Sequence, residues 1–391
     1  MENGQITYIG KWIRWRRKAL GLSQAAFLKA HPLCSRKTLS LLENGKSDIR
    51  LDLIEDLLLA FDVRLQPDQT VLSDRYWNTL ANAYETYDMP AMEARITRIE
   101  TTLHPFSRDL FCRDALDFLD LLRRFLSRGL SFDQAASLWR FLEPVWPRSV
   151  QDLALAMRYG AHLSVGVPFE EEKKLSQSEF LSNRISYGYR LWETDRRHLL
   201  SVHIDQLESE VSYTRNPIRT MDLWILKLIS FSKAERSDWK DTWNHITTHW
   251  NDVCLDSKRA VYVHNLTMAF FEKGELKTVG RWLATVPDWS RTSLALRLVA
   301  IVTFSRLDKM DRLSLCLVSN ADDSDNPQYP YLHYFRLKYE KGLDADTLLD
   351  ELVKDVWALA RDDSFFGSVF ERELRELAVQ TRRYRLLTLL K

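Results

Sequence analysis

Glycine is scarce in this chain, 12 residues in 391, and none falls into G-x-x-x-x-G-K-S/T, G-x-G-x-x-G or G-x-S-x-G. Phosphate-cradling loops and nucleophile turns need those glycines, because only a residue without Cβ lets the backbone approach a ligand or take the tight turn. H-E-x-x-H is missing too, so neither an enzyme nor a cofactor is expected. The four cysteines, Cys34, Cys112, Cys254 and Cys316, have no paired spacing, which speaks for reduced thiols and against a disulfide framework. No apolar run approaches the ~18–20 residues that span a bilayer, and the longest, Leu294 to Phe304, is interrupted by Arg297. The first residues lack the basic start, apolar stretch and small-residue cleavage site of a leader. A cytoplasmic protein without membrane contact is the expectation.

Alternating β-branched runs are also missing, whereas apolar residues recur at helical spacing along the chain, which predicts an all-α fold. At 45% hydrophobic and 28% charged the composition is that of an ordinary folded chain. His245 and His249 would share a helix face with Cys254 close behind. No glutamate follows His245 as a metalloprotease needs, and Trp243 and Trp250 flank the pair, so a structural role is expected and no metal. Glu170, Glu171 and Glu172 followed by Lys173 and Lys174 read as a solvated helix face.

The N-terminal 50 residues are different. They hold ten basic residues, Lys11, Arg14, Arg16, Arg17, Lys18, Lys29, Arg36, Lys37, Lys46 and Arg50, against Glu2, Glu43 and Asp48, while the whole chain is only +1. Basic charge is concentrated there, as phosphate contact requires. From Ile9 an amphipathic basic helix runs to Gly21, Ser23 caps a second helix over Gln24 to Ala30, and Pro32 ends it. Ser35 caps a third, Arg36 to Asn44, closed by Gly45. Leu51, Leu53, Ile54, Leu57, Leu58, Leu59 and Phe61 supply further helices to close the core, and Pro67 breaks the period. The expected organisation is a reading domain over 1–66, a linker over 67–73 and a helical domain over 74–391.

Gly21-Leu22-Ser23-Gln24, Ser35-Arg36-Lys37-Thr38-Leu39-Ser40 and Leu42-Glu43-Asn44-Gly45-Lys46 together resemble the phage-repressor (XRE-type) helix-turn-helix class. The resemblance implies a five-helix domain in which Gln24, Ser35, Asn44 and Lys46 hold phosphates. Arg36, Lys37 and Leu41 then read base edges from the major groove, with Ser40 in the same set. The turn His31-Pro32-Leu33-Cys34 is about one residue longer than usual in that class.

Beyond residue 70, Trp77-x-x-Leu80-Ala81-x-x-Tyr84 fits the first helix of a tetratricopeptide repeat, with Asp88-Met89-Pro90 as its turn and Ala91 to Leu103 as the second helix. Gly274, Asp308 and Gly342 stand 34 apart, the period of that repeat. Residues 104–255 keep helical spacing but not the pattern. They read as degenerate repeats or as an irregular bundle, with turns at Ser131-Phe132-Asp133 and Arg215-Asn216-Pro217.

An XRE-type reader joined to such an array resembles the peptide-pheromone receptor regulators of Gram-positive bacteria, the RRNPP superfamily. That resemblance implies a right-handed superhelix of helix pairs and a homodimer on double-stranded promoter DNA, with a short signalling peptide in the concave groove. Side-chain amides on inner helices would grip the peptide backbone, since an amide both donates and accepts. Asn78 and Asn82 in the first repeat, and His264, Asn265, Met268 and Phe271 before Gly274, are the implied peptide contacts. Arg190, Trp224 and Lys227 are further candidates from the stretch whose register is open. A constitutive repressor and a protein-binding adaptor remain as alternatives.

Overall fold

The structure is a computed structural model describing residues 3–45, 50–65, 70–127, 129–165, 169–214, 216–233, 239–253, 256–286, 288–320, 323–324, 326–363 and 365–390. Among these residues there is no strand, only an isolated bridge between Arg64 and Asp109. The chain divides into two compact units, 1–220 and 221–391.

The first unit begins with α1 (Asn3–Ala19), α2 (Gln24–Ala30), α3 (Arg36–Glu43) and α4 (Leu51–Leu59). It continues through α5 (Asp74–Glu85), α6 (Met89–Leu103), α7 (Leu110–Leu126) and α8 (Phe132–Ala136), which runs into a 3-10 turn at Ser137–Leu142. Next come α9 (Arg148–Val165), α10 (Glu172–Ser176), α11 (Leu181–Glu193), α12 (Arg197–Thr214) and α13 (Pro217–Lys233), which carries the boundary. The second unit adds α14 (Trp239–Val253), α15 (Asp256–Glu272), α16 (Leu276–Leu283), α17 (Leu294–Arg306) and α18 (Met310–Cys316). It ends with α19 (Tyr329–Tyr339), α20 (Ala345–Glu351), α21 (Trp357–Ala360) and α22 (Phe366–Gln380).

One turn recurs between helices. Tyr87, Asp195, Gly274 and Asp308 all take positive φ, between 55° and 74°, at the α5/α6, α11/α12, α15/α16 and α17/α18 junctions. At each, the following amide reaches back five residues, as in Glu275 N–H to Phe270 O at 2.9 Å and Lys309 N–H to Phe304 O at 2.9 Å. Together with the bond from the left-handed residue itself, as in Gly274 N–H to Phe271 O at 2.9 Å, this closes orphan carbonyls of the first helix and reverses the chain in three residues. Gly342 takes the same conformation between α19 and α20. Asp195 places this turn inside the stretch 104–255, where a short polar side chain takes the left-handed region in place of glycine.

Three expectations change. Residues 50–65 contain α4 alone, so the reading domain has four helices rather than five among the described residues. After Asp62 (φ 56°) the chain turns, and Arg64 N–H donates to Arg108 O at 2.8 Å while Leu110 N–H donates to Arg64 O at 2.9 Å. The backbone is thereby spent on pairing with the start of α7. The chain does not divide at the linker expected over 67–73, since both sides of it belong to the unit 1–220. Residues 66–69 lie outside the described ones, but Val71 is buried and its carbonyl accepts from the Trp77 indole at 2.7 Å. Glu171 and Glu172 are not a free face: they pair with Arg158 and Arg196. Ser131 caps α8 in a reciprocal box with Gln134, and Asn216 accepts from the Ile218 and Arg219 amides at the start of α13.

Candidate nucleic-acid interface

Helix α2 starts where Ser23 Oγ accepts from Ala26 N–H at 3.0 Å, and α3 where Ser35 Oγ accepts from Thr38 N–H at 3.1 Å. Gly21 (φ 70°) and Gly45 (φ 66°) end α1 and α3 in the left-handed region, where a side chain would be strained. The caps thus fall on the residues whose chemistry fits them. Helix α3 buries Leu39, Leu42 and Glu43 and leaves Arg36, Lys37, Leu41 and Asn44 exposed, with Ser40 half-buried beside them. Arg36 and Lys37 have no partner among the described residues. They stand free, with an apolar Leu41 one turn on, to meet guanine O6 and N7 and a thymine methyl.

Buried electrostatics set the angle between the three helices. Glu43 accepts from Arg17 Nε at 2.7 Å and from a second guanidinium nitrogen at 2.8 Å, and also from the Gln24 amide at 2.9 Å. Those hydrogen bonds raise the Arg17 pKa above its ordinary value. One carboxylate therefore ties α1, α2 and α3 together. The Gln24 donor that the resemblance gives to a phosphate is used inside the protein in this geometry. Asn44 is engaged as well: its amide nitrogen donates to Ser40 O at 2.7 Å and its oxygen accepts from Arg14 at 3.2 Å. Ser35 is a cap, and Lys46 lies outside the described residues. Arg14, exposed and adjacent to the end of α3, belongs to this surface although it was not among the expected contacts. At Gly10 an added Cβ would lie 2.0 Å from Leu42 O, so α1 and α3 touch backbone to side face there.

The same α1 is fastened to later helices. Asp114 on α7, 1% exposed, accepts from Tyr8 Oη, from Trp12 Nε1 at 3.0 Å and from Arg140 at 2.6 Å. Burial first, then the charge of Asp114, pushes the Tyr8 hydroxyl well above its usual range, so it remains a donor. The Arg140 guanidinium lies over the Trp15 ring at 4.2 Å, and Lys11 pairs with Glu143 at 2.7 Å. The reading head is thus built into the core of the first unit.

Residues 13–67 match a helix-turn-helix family model. The N-terminal segment is an XRE-type helix-turn-helix, the module of DNA-binding regulators. The match begins inside α1, after Tyr8, Lys11 and Trp12, so the side chains that reach Asp114 and Glu143 belong to an extension ahead of the family segment. The chain matches no curated protein and no solved structure. Among the described residues no helix is long and apolar enough to cross a membrane, and no group of three side chains could hold a metal ion.

The expected peptide contacts fall in both units. In the first, Asn78 and Asn82 are exposed one turn apart on α5, and Arg190 is half-buried and paired with Glu193 at 2.5 Å. In the second, Trp224 stacks on His245 at 5.3 Å and meets His249 at 5.6 Å, which gives the two histidines an aromatic partner; Cys254 lies outside the described residues. Phe271 packs on Phe365 at 4.8 Å under the Arg306 guanidinium. His264 is half-buried with no partner for its Nδ1 among the described residues, and desolvation lowers its pKa to about 4. Lys227, Asn265 and Met268 are half-buried. Sequence reasoning missed a cleft of about 610 Å³ in the second unit, walled by Trp239, Trp243, Trp282 and Phe270. The signal was the tryptophan pair four apart on α14 with a third indole about 40 residues on.

Proposed function

We propose that this protein is a transcription regulator that binds promoter DNA as a homodimer through α3 and is switched by a short signalling peptide held by tetratricopeptide-like helix pairs. The observation that carries the DNA part is Arg36 and Lys37, exposed and without a partner among the described residues, on a helix whose other face is locked by Glu43. The repeat reading is supported by left-handed turns at Gly274, Asp308 and Gly342, 34 residues apart, each reversing the chain between two helices. Stacked pairs of this kind share a core and coil, leaving a concave wall for an extended ligand. In this reading the array is a right-handed superhelix over 74–391, and a peptide selects one placement of two reading heads on a pseudo-palindrome with half-sites ~34 Å apart.

The fastening of α1 to Asp114 favours such a switch, because a head rigidly joined to its helical body moves when that body moves. Fluorescence anisotropy of the purified protein on DNA upstream of its own gene, with and without the short peptide encoded next to it, tests the reading. A peptide-dependent change in affinity or stoichiometry is expected. Tight binding indifferent to every candidate peptide would point to a constitutive repressor, and no DNA binding with capture of a protein partner to an adaptor.

A further inference from the structure

The cleft of the second unit has chemistry of its own. Trp243 meets Phe270 edge-on at 4.7 Å and Trp282 at 5.4 Å, and Trp239 reaches Phe270 at 6.2 Å, so the walls are three indoles and a phenyl ring. Trp250 backs Trp282 at 4.5 Å and holds that ring in place. A space of about 610 Å³ is in the range of small-ligand sites, ~300–1,000 Å³, with room for a bulky side chain and its neighbour rather than for a whole peptide.

Charge chooses the occupant. Lys240, next to Trp239, and Arg281, next to Trp282, stand exposed on the rim with no partner among the described residues. Among the described lining residues Glu275 is the one carboxylate against Lys240 and Arg281, so that part of the rim is net positive. Aromatic walls by themselves favour a cation over the ring face. Two ammonium- and guanidinium-type charges beside the rings oppose that and favour an anion with an apolar body, since indole N–H, Lys and Arg are donors only.

We propose that this cleft takes the C-terminal end of a peptide, with a bulky apolar side chain packed against the Trp239, Trp243 and Trp282 rings and the terminal carboxylate against Lys240 and Arg281. A chain-terminal carboxylate puts its charge within one residue of the apolar group, which matches cations that neighbour the indoles in sequence. The assignment rests on the peptide-switched reading above and names where and how such a peptide is recognised, through residues other than those expected from sequence.

The test uses the full chain and two probes, acetyl-Leu-Phe as free acid and acetyl-Leu-Phe-amide, followed by tryptophan fluorescence and by calorimetry. The acid is expected to change the indole emission and to bind about tenfold more tightly than the amide. Lys240→Ala and Arg281→Ala, both on the exposed rim, should each weaken the acid about three- to tenfold and leave the amide unchanged. Equal binding of acid and amide, or acid binding unmoved by both variants, overturns the proposal, as does the absence of binding by either probe. The fate of the proposed function is read separately. If a peptide changes DNA affinity identically in wild type and in the Lys240→Ala/Arg281→Ala double variant, the cleft assignment fails while the switch stands. If the acid binds as expected but no peptide alters DNA affinity, the cleft stands and the switch fails.

Discussion

Arg17 in α1 is buried against Glu43 and Lys11 is paired with Glu143, whereas Arg36 and Lys37 at the start of α3 are exposed and unpartnered among the described residues. The two helices look alike in sequence, each opening or closing on a cluster of cations. In α1 part of that charge holds structure: Arg17 satisfies the buried Glu43 and Lys11 pairs with Glu143. In α3 none of it does. The basic surplus of the first 50 residues therefore overstates the number of phosphate contacts, because part of it is neutralised internally before any DNA arrives.

The largest break in this comparison comes from Asp114→Ala. It removes the acceptor of Tyr8, Trp12 and Arg140 at once and leaves the Arg140 guanidinium, 2% exposed, without its closest carboxylate. Stripping one partner from a buried pair costs about 3–5 kcal/mol. Denaturant unfolding of the first unit should show that loss, with Trp12 and Trp15 released together. Unchanged stability would mean that α1 is no more committed to structure than α3. A smaller loss, about 1–3 kcal/mol, is expected for Gly10→Ala, whose Cβ would meet the Leu42 carbonyl oxygen at 2.0 Å and push α3 off α1. Gly4→Ala in the same helix is the control: nothing lies within 4 Å of it, so it should gain roughly 0.5–1 kcal/mol from helix propensity. Thermal melts of the two variants must move in opposite directions.

What the sequence made legible is what is local. Ser23, Ser35, Gly21 and Gly45 announce helix ends because a cap is a contact over three or four residues. The turns at Gly274, Asp308 and Gly342 were readable for the same reason. The fastening of α1 was not, since Tyr8 and Trp12 are held by a residue about a hundred positions away. Nor was the use of Gln24: whether an amide faces a phosphate or a buried carboxylate depends on where Glu43 sits in three dimensions. The fifth helix expected before residue 66 gives way to Arg64 pairing with the α7 start, again a non-local bond. The aromatic cleft stayed hidden because its walls come from α14, α15 and α16, and only packing brings them together.

On the α3 side the effects move from stability to affinity. Arg36→Ala should leave the melting temperature where it is, because the side chain touches nothing among the described residues. Its loss should weaken binding to the cognate operator by about 1–3 kcal/mol, roughly five- to 150-fold, and relax preference at one base pair. Anisotropy at one fixed salt concentration measures this, and an unchanged affinity would remove α3 from the groove.

The finest distinction lies within α1 itself, between Arg14, exposed at 3.2 Å from Asn44 Oδ1, and Lys11, paired with Glu143 at 2.7 Å. If Arg14 contacts a phosphate at the end of α3, Arg14→Ala lowers affinity for every DNA sequence alike and flattens the slope of log K against log salt by ~0.9, one counterion's worth. Lys11→Ala should leave that slope untouched, since its charge is already matched by Glu143 on the protein. Equal slopes for the two variants would show that pairing inside the first unit does not decide which cations of α1 meet DNA.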